Sequence, residues 1–243
     1  MKVLLANIED VMREAAARWT LLAYFFLSTI FILIFASAVN LDVVNGSLAG
    51  AKLFGKDVHM GGTISIDKLV LGFDSVFAVI LYAFCTFLAI FATAHLVPRM
   101  QEKGTIDLYL SRPVSRTYLL LSRYVAGLVL AASNVIYLLG SIWLIVSWKT
   151  HVFHARFLIA GGIMLFVIAT LLAFAFLIGV ITSSTAVSIM TTYGLALLAI
   201  VLAAHKQAAA LVSKDWQAWL INALYWIVPK IFDLGKAVYE FVS

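Results

Sequence analysis

The chain has 243 residues, 64% of them hydrophobic and only 12% charged, with a mean hydropathy of +1.05. Soluble domains carry about a quarter charged residues, so this composition excludes a water-soluble fold and describes an integral membrane protein. The formal charge of +5 does not denote a nucleic-acid binder, because the basic residues occupy short loops between apolar runs instead of forming one continuous stripe.

Met1 to Trp19 lacks the form of a signal peptide. Leu4, Leu5, Ile8, Val11, Met12, Ala15 and Trp19 recur at helical spacing, and Glu9, Asp10, Arg13, Glu14 and Arg18 take the other side, which predicts an amphipathic helix lying in the membrane interface. A first span, 21–39, is uncharged and matches the ~20 residues needed to cross the hydrocarbon core. In the following loop, Asn45-Gly46 between LDVV and SLAGAKLFG is a hairpin signal and Thr63 to Ile66 alternates as a strand does. A small external hairpin element is expected there, with a glycine-rich structureless loop as the alternative. A second span, 73–97, ends at Pro98. Asp74 at its outer end suits a cap or a headgroup contact, and His95 an interfacial position at the other. Cys85 within this run is the single cysteine, which rules out an internal disulfide and suits a small buried apolar residue.

The segment 98–118 is the long polar interruption of the chain. Gly104 breaks the incoming helix, Thr105 caps a short one over Ile106 to Ser111, Arg112 before Pro113 must leave the helical region, and Ser115 offers a second cap. The run Glu102, Gly104, Thr105, Asp107, Leu108, Leu110, Ser111, Pro113, Val114, Ser115, Arg116, then Leu119 to Leu121, Arg123 and Tyr124, resembles the loop after the second span in ATP-binding cassette (ABC) transporter permeases of the type-2 exporter family. Position 123 is Arg where Lys is commoner. The resemblance implies that this loop is a cytoplasmic coupling helix docking into a groove of a separate ATPase subunit, with Glu102, Thr105, Ile106, Asp107, Tyr109, Leu110, Arg112 and Arg116 as the coupling residues. It also implies that the N-terminal amphipathic helix is the family's connecting helix along the inner leaflet. The plainer alternative is a basic loop that only fixes topology.

A third span, 117–148, is long for a simple crossing, and Trp143 and Trp148 anchor its outer end. Ser133 and Asn134 near its middle are candidate pathway-lining residues, although an interhelical hydrogen bond is the commoner role for such an Asn. His151 and His154 stand at i, i+3, but without a third ligand they do not make a metal site, and no metal is expected. Spans 157–181 and 186–204 form a helical pair around Thr182, Ser183 and Ser184, a turn at which the family presents a smaller second cytoplasmic contact. The segment 205–243 reads as an external amphipathic helix broken at Pro229. The sixth span of the family is missing from this reading, and a truncated chain accounts for it better than re-entry of Trp219 to Phe232.

Placing the N-terminus in the cytoplasm puts every arginine except Arg156 inside. No G-x-x-x-x-G-K-[ST] pattern occurs, so ATP hydrolysis must come from another polypeptide. No acidic or basic residue is expected at mid-membrane, which argues against an ion-coupled transporter and against a membrane enzyme. The expected fold is thus an all-α integral membrane protein with five to six transmembrane helices, an interfacial N-terminal helix, a coupling helix and a small external hairpin. The expected function is the permease subunit of an ABC exporter in the plasma (cytoplasmic) membrane, not itself an enzyme. It would form half of a translocation path with a second copy or a homologous permease, and ATP and Mg would be held by the ATPase partner. A non-transporting helical scaffold or assembly factor is the alternative.

Overall fold

The computed structural model describes residues 13, 20–44, 47–53, 56–57, 66–101, 115–150, 153, 155–203, 205 and 215–242. The chain runs through α1 (Thr20–Ala38), the strands β1 (Val39–Val44), β2 (Ser47–Leu53) and β3 (Lys56–Asp57), then α2 (Ile66–Thr93), α3 (Leu96–Met100), α4 (Arg116–Thr150), α5 (Ala155–Thr182), α6 (Thr185–Leu202), α7 (Asp215–Ile227) and α8 (Ile231–Val242). Among the described residues, four stretches are long and apolar enough to cross a membrane: Asp74–Met100, Arg116–Thr150, Ala155–Thr182 and Thr185–Leu202. Leu22–Ser37 of α1 is a shorter apolar helix. The protein is an all-α membrane protein with one small antiparallel sheet, whose order is β1-β2-β3.

The expected hairpin is present. β1 pairs with β2 from Val39 opposite Leu53 to Val44 opposite Ser47, and the register slips between Asp42 and Val43. The proposed strand at Thr63 to Ile66 is not one at its described end: Ile66 opens α2. The N-terminal interfacial helix, His151 and His154 lie outside the described residues, apart from Arg13.

One face of α2 explains its place. Ala78, Leu81, Tyr82, Cys85, Leu88 and Ala89 recur every three or four residues and are buried, the stripe that a helix needs to seat against neighbours. The second span is broken where the sequence reading continued it. Pro98 has no N–H to give Ala94 and its ring crowds that carbonyl, so α2 ends at Thr93 and α3 begins at Leu96. α5 is the central helix, touching α2, α4, α6 and α8. Its contact with α4 is close because Gly161 faces Leu139; a Cβ there would stand 3.0 Å from Leu139 Cδ2, the small-residue packing usual between membrane helices.

α1 is held to α4 by a polar pair. Asn134 Nδ2 donates to Ser28 Oγ at 2.8 Å, and both residues are fully buried. The Ser28 hydroxyl has Tyr24 O at 3.0 Å and Asn134 Oδ1 at 3.1 Å as acceptors. Replacing Asn134 by Ala is expected to cost about 0.6–1.7 kcal/mol, the span of such bonds in membranes. Unfolding in mixed micelles measures it, and a Ser28→Ala, Asn134→Ala double variant costing the sum of the singles would show that the pair is not coupled. At the far end of α4, Lys149 Nζ donates to Ala36 O at 3.0 Å, a cation on the last carbonyls of α1.

Cys85 is fully buried among α2, α4 and α5. A maleimide added to the folded protein is therefore expected to leave it unlabelled, with reaction only after denaturation; rapid native labelling would contradict this packing.

The segment 205–243 departs furthest from expectation. Ile231, Gly235, Val238 and Val242 form a buried stripe, and α8 packs against α2, α5 and α6 instead of lying on the outer surface. Tyr82 donates its hydroxyl to Ile231 O. The turn at Pro229 that brings α8 inward is braced from α7, where Tyr225 donates to Asp233 Oδ2 at 2.6 Å and Lys230 Nζ stands 3.9 Å from the Trp226 ring centre. The Asp233 carboxylate accepting its proton holds the Tyr225 phenol above its ordinary pKa.

Candidate functional site

Of the residues that the resemblance singles out, one is described. Glu102, Thr105, Ile106, Asp107, Tyr109, Leu110 and Arg112 lie outside the described residues; Arg116 is described, exposed in the first turn of α4. What the structure does describe is the pair of anchors between which that segment hangs. On the outgoing side, Ser115 caps α4 as its position suggested, its Oγ accepting from Tyr118 N at 3.3 Å. On the incoming side, α3 is clamped to α5. Gly179 sits against Pro98, where a Cβ would come within 3.3 Å of Pro98 Cδ, and Gln101 Nε2 donates to Val180 O at 3.0 Å.

That clamp joins two loops. Val180 is in the last turn of α5, directly before the turn to α6, where Ser183 takes a φ of 52° and Ser184 caps α6 by accepting from Val187 N. The left-handed φ at a non-glycine residue is a small local cost, held in place by Ser183 N donating to Gly179 O at 2.9 Å. The entry of the polar segment and the 182–185 turn thus share one end of the bundle and one set of contacts. Sequence reasoning found both loops and read Gly179 as a small residue that permits a close helix contact, but missed Gln101, because a lone Gln beside an apolar run carries no spacing signal.

The two candidate pathway residues are placed differently from each other. Asn134 is enclosed between α1 and α4 and its amide is engaged by Ser28, as described above; Ser133 is half-buried and donates to Leu130 O at 2.8 Å. Arg123, part of the run that carries the resemblance, is only 3% exposed.

Two charged residues that the sequence reading placed on an interfacial helix share a cavity with a candidate span. Lys236 and Glu240 on α8 line one cavity with Tyr82, Thr86 and Ile90 of α2, residues well inside the apolar stretch Asp74–Met100. They escaped notice because α8 was read as interfacial, where such charges are ordinary.

A family model described as ABC-2 family transporter protein matches residues 5–217. The chain belongs to the ABC-2 transporter family. Neither the comparison with curated proteins nor that with solved structures gave a match. This ABC-2 protein is accordingly a multi-pass membrane component, a permease subunit and not the catalytic one. The matched residues contain α1 through α6 and both loops at the polar end, while α8 lies beyond them.

Proposed function

We propose that the chain is the permease of an ATP-driven exporter, forming half of a translocation path with a second copy or a homologous permease. It sits in the cytoplasmic membrane with its N-terminus and the 98–118 segment in the cytoplasm. The observation that supports this reading best is the clamp of Pro98 and Gln101 onto α5 beside the 182–185 turn. A force applied to the polar segment enters α5, and α5 touches four other helices of the bundle. Such a linkage suits a part driven by a separate motor.

The residues of this chain do not fit a nucleotide, since no phosphate-cradling glycine loop occurs in the sequence. ATP and its Mg therefore fall to the partner ATPase. The test replaces 105–111 by a Gly-Ser linker and follows two readouts: copurification of the ATPase encoded beside the chain, and orientation by cysteine accessibility. Loss of the ATPase with unchanged orientation is expected. Undiminished capture would remove the coupling role, and inverted insertion would favour a segment that serves topology alone.

A further inference from the structure

The two helices of the segment 205–243 behave differently. α8 turns into the bundle, while α7 keeps three tryptophans outside it: Trp216 is 59% exposed, Trp219 71% and Trp226 74%. At about 100° per residue these three fall within an arc of about 80° on one side of the helix. Tyr225 leaves α7 about 140° from the middle of that arc. Its ring stacks on His205 with 3.7 Å between centres, and its hydroxyl donates to Asp233 of α8. One side of α7 is thus engaged by the protein, and the tryptophan side is not covered by it.

His205 fixes the level of α7. It stands three residues beyond Leu202, where the apolar stretch Thr185–Leu202 closes, and its Nδ1 is 3.1 Å from Leu202 O. The last turns of α7 are therefore pinned at the rim of a candidate span, at the end of α6 away from the 182–185 turn. Trp148, in the last turn of α4, is exposed as well. Among the described residues, these four are the exposed tryptophans, whereas the large exposed apolar side chains of α5 and α6 are Leu, Ile, Val, Phe and Met. An indole has an apolar body and a single N–H donor, which suits the layer of ester carbonyls and phosphates better than water or hydrocarbon. Two neighbours of the stripe agree with that layer. Asn222, at its edge, is exposed, and an uncovered amide is costly in hydrocarbon. Lys230 holds its ammonium 3.9 Å from the centre of the Trp226 ring, which keeps a cation beside the indoles where phosphate oxygens would meet it.

The spacing of the stripe sets the orientation. Trp216 and Trp226 are ten residues apart, about 15 Å along the axis. An upright helix would leave one indole at the rim and carry the other into water or deep hydrocarbon. Only a helix lying along the membrane surface brings all three to one depth. We propose that α7 is an in-plane anchor whose tryptophan face rests in the ester and phosphate layer of the bilayer, with the Lys230 ammonium beside the phosphates. It sets the depth at which the chain turns inward at Pro229. The partner is the lipid surface as a whole. The anchor does not depend on transport or on the ATPase, so its failure would leave the exporter reading where it stands.

The test uses the full chain with Cys85→Ala in nanodiscs of phosphatidylcholine and phosphatidylglycerol. One nitroxide at a time is attached at Trp216→Cys, Ala223→Cys or Trp226→Cys. Residue 223 falls within the same arc and leaves all three indoles in place, so it reports on the intact stripe. Collisions with oxygen and with a water-soluble nickel chelate give each depth, calibrated on lipids labelled at the phosphate and along the acyl chain. The three depths are expected to lie near the phosphate and to agree within about 5 Å, against roughly 15 Å between residues 216 and 226 of an upright helix. Replacing the three tryptophans together by Gln should raise chelate collisions at residue 223 severalfold; no rise would mean that the indoles do not hold the helix. A spread near that of an upright helix would also overturn the proposal. So would collisions as frequent as for a nitroxide in water, or spin–spin broadening at residue 223 that vanishes on dilution with unlabelled chain, which would give the face to a second copy.

Discussion

Tyr109→Ala is expected to weaken capture of the partner ATPase by about 1–3 kcal/mol, the range for a buried aromatic anchor, while insertion and thermal stability stay nearly unchanged. The short segment 105–111 is read as presenting Ile106, Tyr109 and Leu110 to a groove on the ATPase, with Asp107 and Arg112 at the rim. Rim charges chiefly set orientation and association rate, so Asp107→Ala should cost less than Tyr109→Ala. Because the anchors at Gln101 and Ser115 lie outside the substituted residue, loss of Tyr109 removes a contact without loosening the bundle. Titration of the purified ATPase onto the permease in nanodiscs gives the numbers. Equal affinities for the unaltered chain and for Tyr109→Ala would remove this residue from the interface.

The second large effect concerns the helix that the sequence reading laid outside. Gly235 faces the Tyr82 ring, and a Cβ there would come 3.1 Å from Cε1 and 3.4 Å from Cδ1. The ring cannot swing aside without breaking the hydrogen bond from its hydroxyl to Ile231 O. Gly235→Ala should nevertheless be close to neutral, since the crowding is offset by roughly 0.8–1 kcal/mol of gained helix propensity. Gly235→Leu has no such offset. Overpacking together with the lost Tyr82 bond should destabilise by about 2–4 kcal/mol and free α8 from α2. Limited proteolysis after residue 229 and the unfolding midpoint would both report it. A Leu variant as stable as the Ala variant would mean that α8 does not rest on α2 in the membrane.

Much of this fold was legible because a bilayer demands so little ambiguity: apolar runs of the right length must be helices. The helices at 21–39, 117–148, 157–181 and 186–204 end within two residues of the expected bounds, whereas α2 starts seven residues before residue 73 and stops at Thr93. Asn45-Gly46 and Ser115 marked a hairpin and a cap through local chemistry alone. Other features depended on partners distant in sequence. Nothing near Gly235 says that Tyr82, far earlier in the chain, will lie on it, and so an apolar stripe interrupted by Lys236 and Glu240 was taken for an interfacial one. Asn134 shows the same limit: its type and depth announce a polar contact, but only the approach of Ser28 identifies it. The family was legible from one dense motif, whereas the cavity beside α8 left no signal in it.

The helices differ greatly in length. α4 has 35 residues and α6 has 18, about 52 Å against 27 Å of rise. A hydrocarbon core of about 30 Å cannot match both. On the α4 side the surplus is taken up by tilt or by helix projecting into water; on the α6 side the membrane must thin to meet the protein, at fractions of a kcal/mol per Å. Lipids bordering α6 are therefore expected to sit in a thinner bilayer than those bordering α4. The protein should accordingly favour thin membranes over thick, sterol-like ones, and its distribution between coexisting thin and thick bilayer phases would measure that preference.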